Sequence, residues 1–428
     1  MKNIVICCDG TGNEISENIS NVLKLYRVLR KTGKAEPNQV VFYDPGVGTL
    51  ARPNPWTKLK QDARTVLGLV TGYGLDDNVL SAYEFLINHY EDGDEIFLFG
   101  FSRGAHTVRV LAGLIHKAGL LAPQQNNLAG AALTAYKQLS LDVEREDLEA
   151  AQNGGEGKGD DGEQPGPITQ DDRASQFARI VSTRWPTIKF VGVWDTVASV
   201  IVPRPDRFYT FSLQKLAHTQ SNPSVKVFRQ AIAIDERRRM FRLSPWMSPQ
   251  SFMFNRFSRT NNSLPQDILQ VWFAGVHADV GGGYPEKESG LSKFPLLWMI
   301  DEAKKFGLSV NQQAVNQLAW GKQRKGSPFS YVAPDIESDP HDSMNKAWRI
   351  LEWIPKADKY KECTTRRSLL GRYIPNAEPR QIPEDAWIHQ SVVDRMHRVP
   401  AYKPPNIPQR YQVFPMTMPV PMPGATGG

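Results

Sequence analysis

Short apolar runs that break at a Gly-rich turn and pass into helical periodicity recur along this chain, and few architectures accept that alternation. "IVICC" gives way to "DGTGN" and then to a stretch with Val22, Leu25, Tyr26 and Leu29 on one helical face. "QVVFYD" precedes "PGVGT", and a second helical stretch carries Val79, Leu80, Tyr83, Leu86, Ile87 and Tyr90 before "EIFLFG". "VFRQAIAID", "TIKFVGVWD" and "ILQVWFAGVH" read as further strands, and "FPLLWMIDEAKKFG" as a closing helix that stops at Gly307. Strand, turn and helix in this order specify an α/β fold, an α/β-hydrolase-like and mostly parallel sheet flanked by helices.

The boundaries follow from composition shifts. Residues 1–310 are expected to form the catalytic core, with a cap or insertion over about 122–180. Within it the acidic, Gly-rich stretch near 153–172 is expected to be disordered, because it has almost no apolar surface to bury. Residues 311–410 read as a helical and loop extension packed on the core, and 411–428 as a Pro-rich flexible tail. No apolar run is long enough for a membrane span, and "MKNIVICCDG" turns acidic too soon for a signal peptide, so synthesis in the cytoplasm is expected. Cys7, Cys8 and Cys363 offer neither a disulfide framework nor a metal site. A net charge of +6 over 428 residues gives no case for nucleic acid as a partner. No cofactor or metal is expected.

Chemistry concentrates at "GFSRG", residues 100–104. A GxSxG pentapeptide alone arises by chance in roughly one chain of this length in seven. Here it follows an apolar strand and opens a helix with Val108, Leu111, Ala112 and Ile115 on one stripe. That context suits a nucleophile lifted out of a sharp turn, with small residues on either side of Ser102. The helix N-terminus directs backbone N–H groups at a developing oxyanion, and Arg103 is the expected donor. Gly10 and Thr11 in "CDGTGN" are candidates for a second, each such donor being worth about 3 kcal/mol.

A serine nucleophile needs a base and the base an orienting acid, in the chain order Ser, Asp or Glu, His at strand ends. His277 closes "LQVWFAGV" and opens the Gly-rich "HADVGGGY", which makes it the candidate base. Asp195, at the end of "IKFVGVW", is the preferred acid, and Asp235 in "AIAIDERRR" is the alternative. Trp246, Met247, Phe252, Met253, Phe254 and Phe257 cluster just ahead of the strand bearing His277. They read either as a lid or acyl-binding wall or as ordinary core packing.

Taken in order, "CDGTGN", "YDPGVGT", "GFSRGAH", "VGVWDTVAS", "AIDERR", "WFAGVHADVGGGY" and "PRQIPEDAWIHQSVVDR" resemble the Tle1-like catalytic domain family of bacterial type VI secretion phospholipase effectors. The resemblance spans nearly the whole chain. It implies an α/β-hydrolase fold and phospholipase A-type ester cleavage, with Ser102 as nucleophile and His277 as base. The implied partners are a lipid or other ester substrate, a membrane surface and, for an exported effector, a type VI secretion or immunity partner. The chain departs from the family at Gln230, where members often carry a histidine. A serine peptidase or acyltransferase would use the same side chains, and the Pro-rich tail also admits a catalytically silent scaffold.

Overall fold

The computed structural model describes residues 1–10, 18–32, 38–46, 74–138, 173–181, 183–197, 201–204, 210–213, 216–254, 263–357 and 367–416. Eight strands build one sheet: β1 (Asn3–Cys8), β2 (Gln39–Asp44), β3 (Glu95–Phe101), β4 (Ile188–Trp194), β5 (Val225–Ala233), β6 (Asp267–Phe273), β7 (Ala386–His389) and β8 (Tyr411–Phe414). Their order across the sheet is β2-β1-β3-β4-β5-β6-β7-β8. Every neighbouring pair is parallel, so the parallel architecture expected from the sequence is the one observed. The chain changes its direction of travel once, between β1 and β3. Open parallel sheets bind ligands in the crevice outside the strand ends at such a point.

Both faces are covered, which explains why the strands read as unbroken apolar runs. Alternate residues of β1 divide between two cores. Ile4, Ile6 and Cys8 join the core under α2 (Leu75–His89) and α3 (Arg103–Ala118). Val5 and Cys7 join the one under α1 (Asn21–Val28), α6 (Lys293–Lys305) and α7 (Gln312–Leu318). Ser20 caps α1 by accepting from the Leu23 N–H at 3.1 Å. Three further helices are α4 (Arg173–Val181), the short α5 (His277–Gly281) and α8 (Lys346–Leu351), and α9 (Gln390–Arg398) follows β7.

Two expectations are corrected. The amphipathic stripe assigned to α3 is too narrow, because every residue from Arg103 to Ala118 is buried. Arg109 is accommodated there by donating to Ser244 O at 2.9 Å and Gln230 Oε1 at 2.8 Å, with its guanidinium over the Phe228 and Trp246 rings. The segment beginning at residue 411 is not all tail. Tyr411–Phe414, which includes the strand-favouring Tyr411, Val413 and Phe414, pairs in register with β7 and ends at Pro415. Residues 139–172, which contain the stretch expected to be disordered, lie outside the described residues, as do 417–428.

Candidate active site

Ser102 follows β3 and precedes α3 with φ 56° and ψ −120°. A non-glycine residue held there stores about 1–3 kcal/mol of strain, and such strain clusters at functional sites. The turn is possible because its flanks have no side chains. A Cβ on Gly100 would lie 2.6 Å from the Ala105 nitrogen, and one on Gly104 would lie 2.5 Å from the Asp9 carbonyl oxygen. Cys8 O approaches position 104 closer still. Strand β1 and the first turn of α3 therefore touch backbone to backbone.

His277 is the first residue of α5, just beyond the end of β6. Its Nε2 lies 2.8 Å from Ser102 Oγ and its Nδ1 lies 2.5 Å from Asp195 Oδ2. With Nδ1–H donating to the carboxylate, Nε2 is left to accept the serine proton. The Phe101 ring lies 4.7 Å from the imidazole, centroid to centroid, and the Phe241 ring meets it edge-on at 4.8 Å. The main-chain N–H of His277 donates to Glu236 Oε2 at 3.2 Å, and Glu236 in turn pairs with Arg238 at 2.7 Å. Burial lowers the basicity of His277, against the pull of Asp195 in the opposite direction.

Asp195 sits directly after β4 with no solvent exposure and φ 38°. Its N–H donates to Ala231 O at 2.8 Å. Oδ1 accepts from the Ala233 N–H at 2.9 Å and from Arg380 Nη1 at 2.5 Å. Oδ2 accepts from Arg380 Nη2 at 3.0 Å as well as from His277. Burial alone would raise the pKa of this carboxyl. The Arg380 guanidinium and the His277 hydrogen bond outweigh it and hold the group well below the usual carboxylate range.

The structure thus brings Ser102, His277 and Asp195 into one hydrogen-bonded chain, and it does not bring Asp235 there. Asp235 Oδ2 accepts from the Gly275 N–H at 2.7 Å and the Tyr402 hydroxyl at 2.8 Å, bracing the loop that leads to His277. The Arg103 N–H stands at the start of α3 beside the serine, as the donor expected for an oxyanion. The Gly10 N–H is committed instead to Asp9 Oδ1 at 2.7 Å, because the Asp9 side chain folds back over its own loop. Thr11 and Phe257 lie outside the described residues.

The expected aromatic wall divides. Trp246 is buried against Phe228 at 4.2 Å and donates Nε1–H to Gln266 at 2.7 Å, and Phe252 is also buried. Met247 and Met253 are half-buried, and Phe254 is exposed. A lone strip of sequence crosses from core to surface here, so its apolar letters do not share one face.

Arg380 is the residue that sequence reasoning missed. It stands in "PRQIPEDAW", a stretch that carries the family resemblance but has no strand or helix period around the arginine, and the remaining signal was that a fully buried acid needs a counter-charge.

A model of the family described as "T6SS, Phospholipase effector Tle1-like, catalytic domain" matches residues 2–302. A protein of Saccharomyces cerevisiae, "Uncharacterized protein YEL023C", is 25% identical over 430 residues, which cover 80% of this chain. The chain spans 62% of the length of that relative. Among solved structures, an uncharacterized protein from Pseudomonas aeruginosa aligns at 17% identity and TM-score 0.35, covering 72% of this chain and 46% of its own. A Tle1 effector bound to the VgrG spike of the type 6 secretion system aligns at 17% identity and TM-score 0.29, covering 68% and 52%. No helix among the described residues is long and apolar enough to cross a membrane. On the match across residues 2–302, the chain belongs to the Tle1-like phospholipase effector catalytic domain family.

Proposed function

We propose that the chain is a serine-dependent ester hydrolase of the phospholipase A type. The observation that carries this reading is the chain of contacts from Ser102 Oγ through His277 to Asp195, at 2.8 and 2.5 Å, on the rim of a parallel sheet. Membership of a phospholipase effector family supports a phospholipid as the ester and an effector-type partner.

In this mechanism Ser102 Oγ attacks the ester carbonyl while His277 Nε2 takes the hydroxyl proton. The imidazolium that results keeps its Nδ1–H on Asp195. The tetrahedral oxyanion forms in front of α3, where the Arg103 N–H and the positive end of the helix favour negative charge. A second donor from Gly10 would first have to leave Asp9. His277 then protonates the leaving alcohol, and an acyl group remains on Ser102. Water attacks that acyl group as His277 again removes a proton, which releases the fatty acid and restores the serine.

The test is covalent labelling by a fluorophosphonate, read by intact mass, together with turnover of a chromogenic ester and mass spectrometry of lipid products. Labelling confined to Ser102 and abolished turnover in Ser102→Ala are expected. Turnover retained by Ser102→Ala would remove the reading.

A further inference from the structure

Arg380 reaches the Asp195 carboxylate from a loop 185 residues further along the chain, beyond the residues that the family model matches. It is buried, and it is tied in place from several sides. Its two Nη atoms donate to the two carboxylate oxygens at 2.5 and 3.0 Å. They also donate to Ala233 O at 3.1 Å and Phe241 O at 2.6 Å. Asn406 Nδ2 fixes the arginine backbone by donating to Arg380 O at 3.0 Å, and it donates to Ile234 O at the same distance. The planar fork and the two carboxylate oxygens form the bidentate pairing that orients a carboxylate most strictly.

An unshared carboxylate would stabilise an imidazolium at His277 with its full charge. Here that charge is divided between the imidazole and a fixed cation. Around His277 the charged groups are Asp195 beyond β4, and Glu236 and Arg238 in the loop after β5. Apolar rings from Phe101 and Phe241 complete the surroundings. We propose that Arg380 is a positioning residue that fixes Asp195 and offsets its charge, so that the His277 base stays neutral in mildly acidic medium. This rests on the serine-hydrolase reading above. The lowered basicity of His277, caused first by burial, runs in the same direction.

The experiment follows the rate of fluorophosphonate labelling of Ser102 across about pH 5 to 8, which requires no knowledge of the natural ester. In the wild type the half-maximal rate is expected below about pH 6.5. Arg380→Gln removes the cation and is expected to move that midpoint up by about one pH unit. Arg380→Lys keeps the charge and loses the fork, so its midpoint stays while its plateau rate falls. An unmoved midpoint in Arg380→Gln overturns the proposal and leaves the serine reading standing. A wild type unlabelled at every pH removes both. Where Arg380→Gln does not fold, the NMR titration of His277 in the wild type decides: a midpoint below about 6.5 supports the proposal and one at or above that value overturns it.

Discussion

The Ser102 N–H donates to the carbonyl of Trp194, the residue immediately before Asp195, at 3.1 Å. The ladder between β3 and β4 thus runs past Phe101 into the turn at Ser102, and the Asp195 N–H continues the neighbouring ladder by donating to Ala231 O of β5. The main chain, and not only the side chains, sets the serine and the aspartate at one level of the sheet. His277 needs to supply only the span between them.

That geometry separates the two candidate acids. Asp195→Asn is expected to lower kcat by about four orders of magnitude, because an amide can no longer enforce the imidazole tautomer. Asp235→Asn keeps the Tyr402 and Gly275 partners within reach and is expected to stay within about tenfold of the wild type. Steady-state turnover of a chromogenic ester compares them, and an equal loss in both would remove Asp195 from its role.

At the elbow the constraint is steric. Gly104→Ala would drive a methyl group into the Cys8 and Asp9 carbonyls. A loss of about 2 kcal/mol in urea unfolding is expected, with a larger proportional loss of turnover. Unchanged stability would show that β1 and α3 separate easily.

The apolar strip around Trp246 is expected to act through stability. Trp246→Ala should cost about 3–5 kcal/mol, since its ring fills the core beside Phe228. Phe254→Ser, at an exposed position, should change stability by no more than about 0.5 kcal/mol. A thermal melt of each variant checks both values. A Trp246→Ala protein as stable as the wild type would contradict the packing described for it.

Stability should also fall in acid through His106. Burial holds its imidazole down at about 4, and neither ring nitrogen has a hydrogen-bond partner among the described residues. The unfolded chain takes up a proton near pH 6.5 while the folded one does not. The sign is therefore fixed: this contribution is complete above about pH 6.5 and is lost as the pH falls toward 4. His106→Leu removes the proton uptake and should flatten the dependence of Tm on pH between those values. An identical slope in the variant would show that other groups govern it.

Much of this was legible in the sequence, for identifiable reasons. Parallel strands buried on both faces leave continuous apolar runs, and their ends announce themselves by turn residues, so Ser102, Asp195 and His277 could be placed at strand ends before any coordinates. Helix α3 misled because polar residues such as Arg103, His106, Arg109 and Lys117 carry surface letters into buried positions. Strand β8 was hidden by the prolines that follow it. Arg380 was not legible because a lone loop side chain has no period, and its meaning comes only from the carboxylate it meets across 185 positions.

Strand β6 carries the segment that ends at His277, and its outer neighbour β7 comes from residues 386–389, beyond residues 2–302 that the family model matches. A chain cut after residue 302 would expose the hydrogen-bonding edge of β6 and strip the guanidinium from a fully enclosed anion. An open edge invites pairing between molecules, and an unpaired interior charge favours unfolding. The limit of the family match is accordingly not one at which this molecule can be divided and still remain whole.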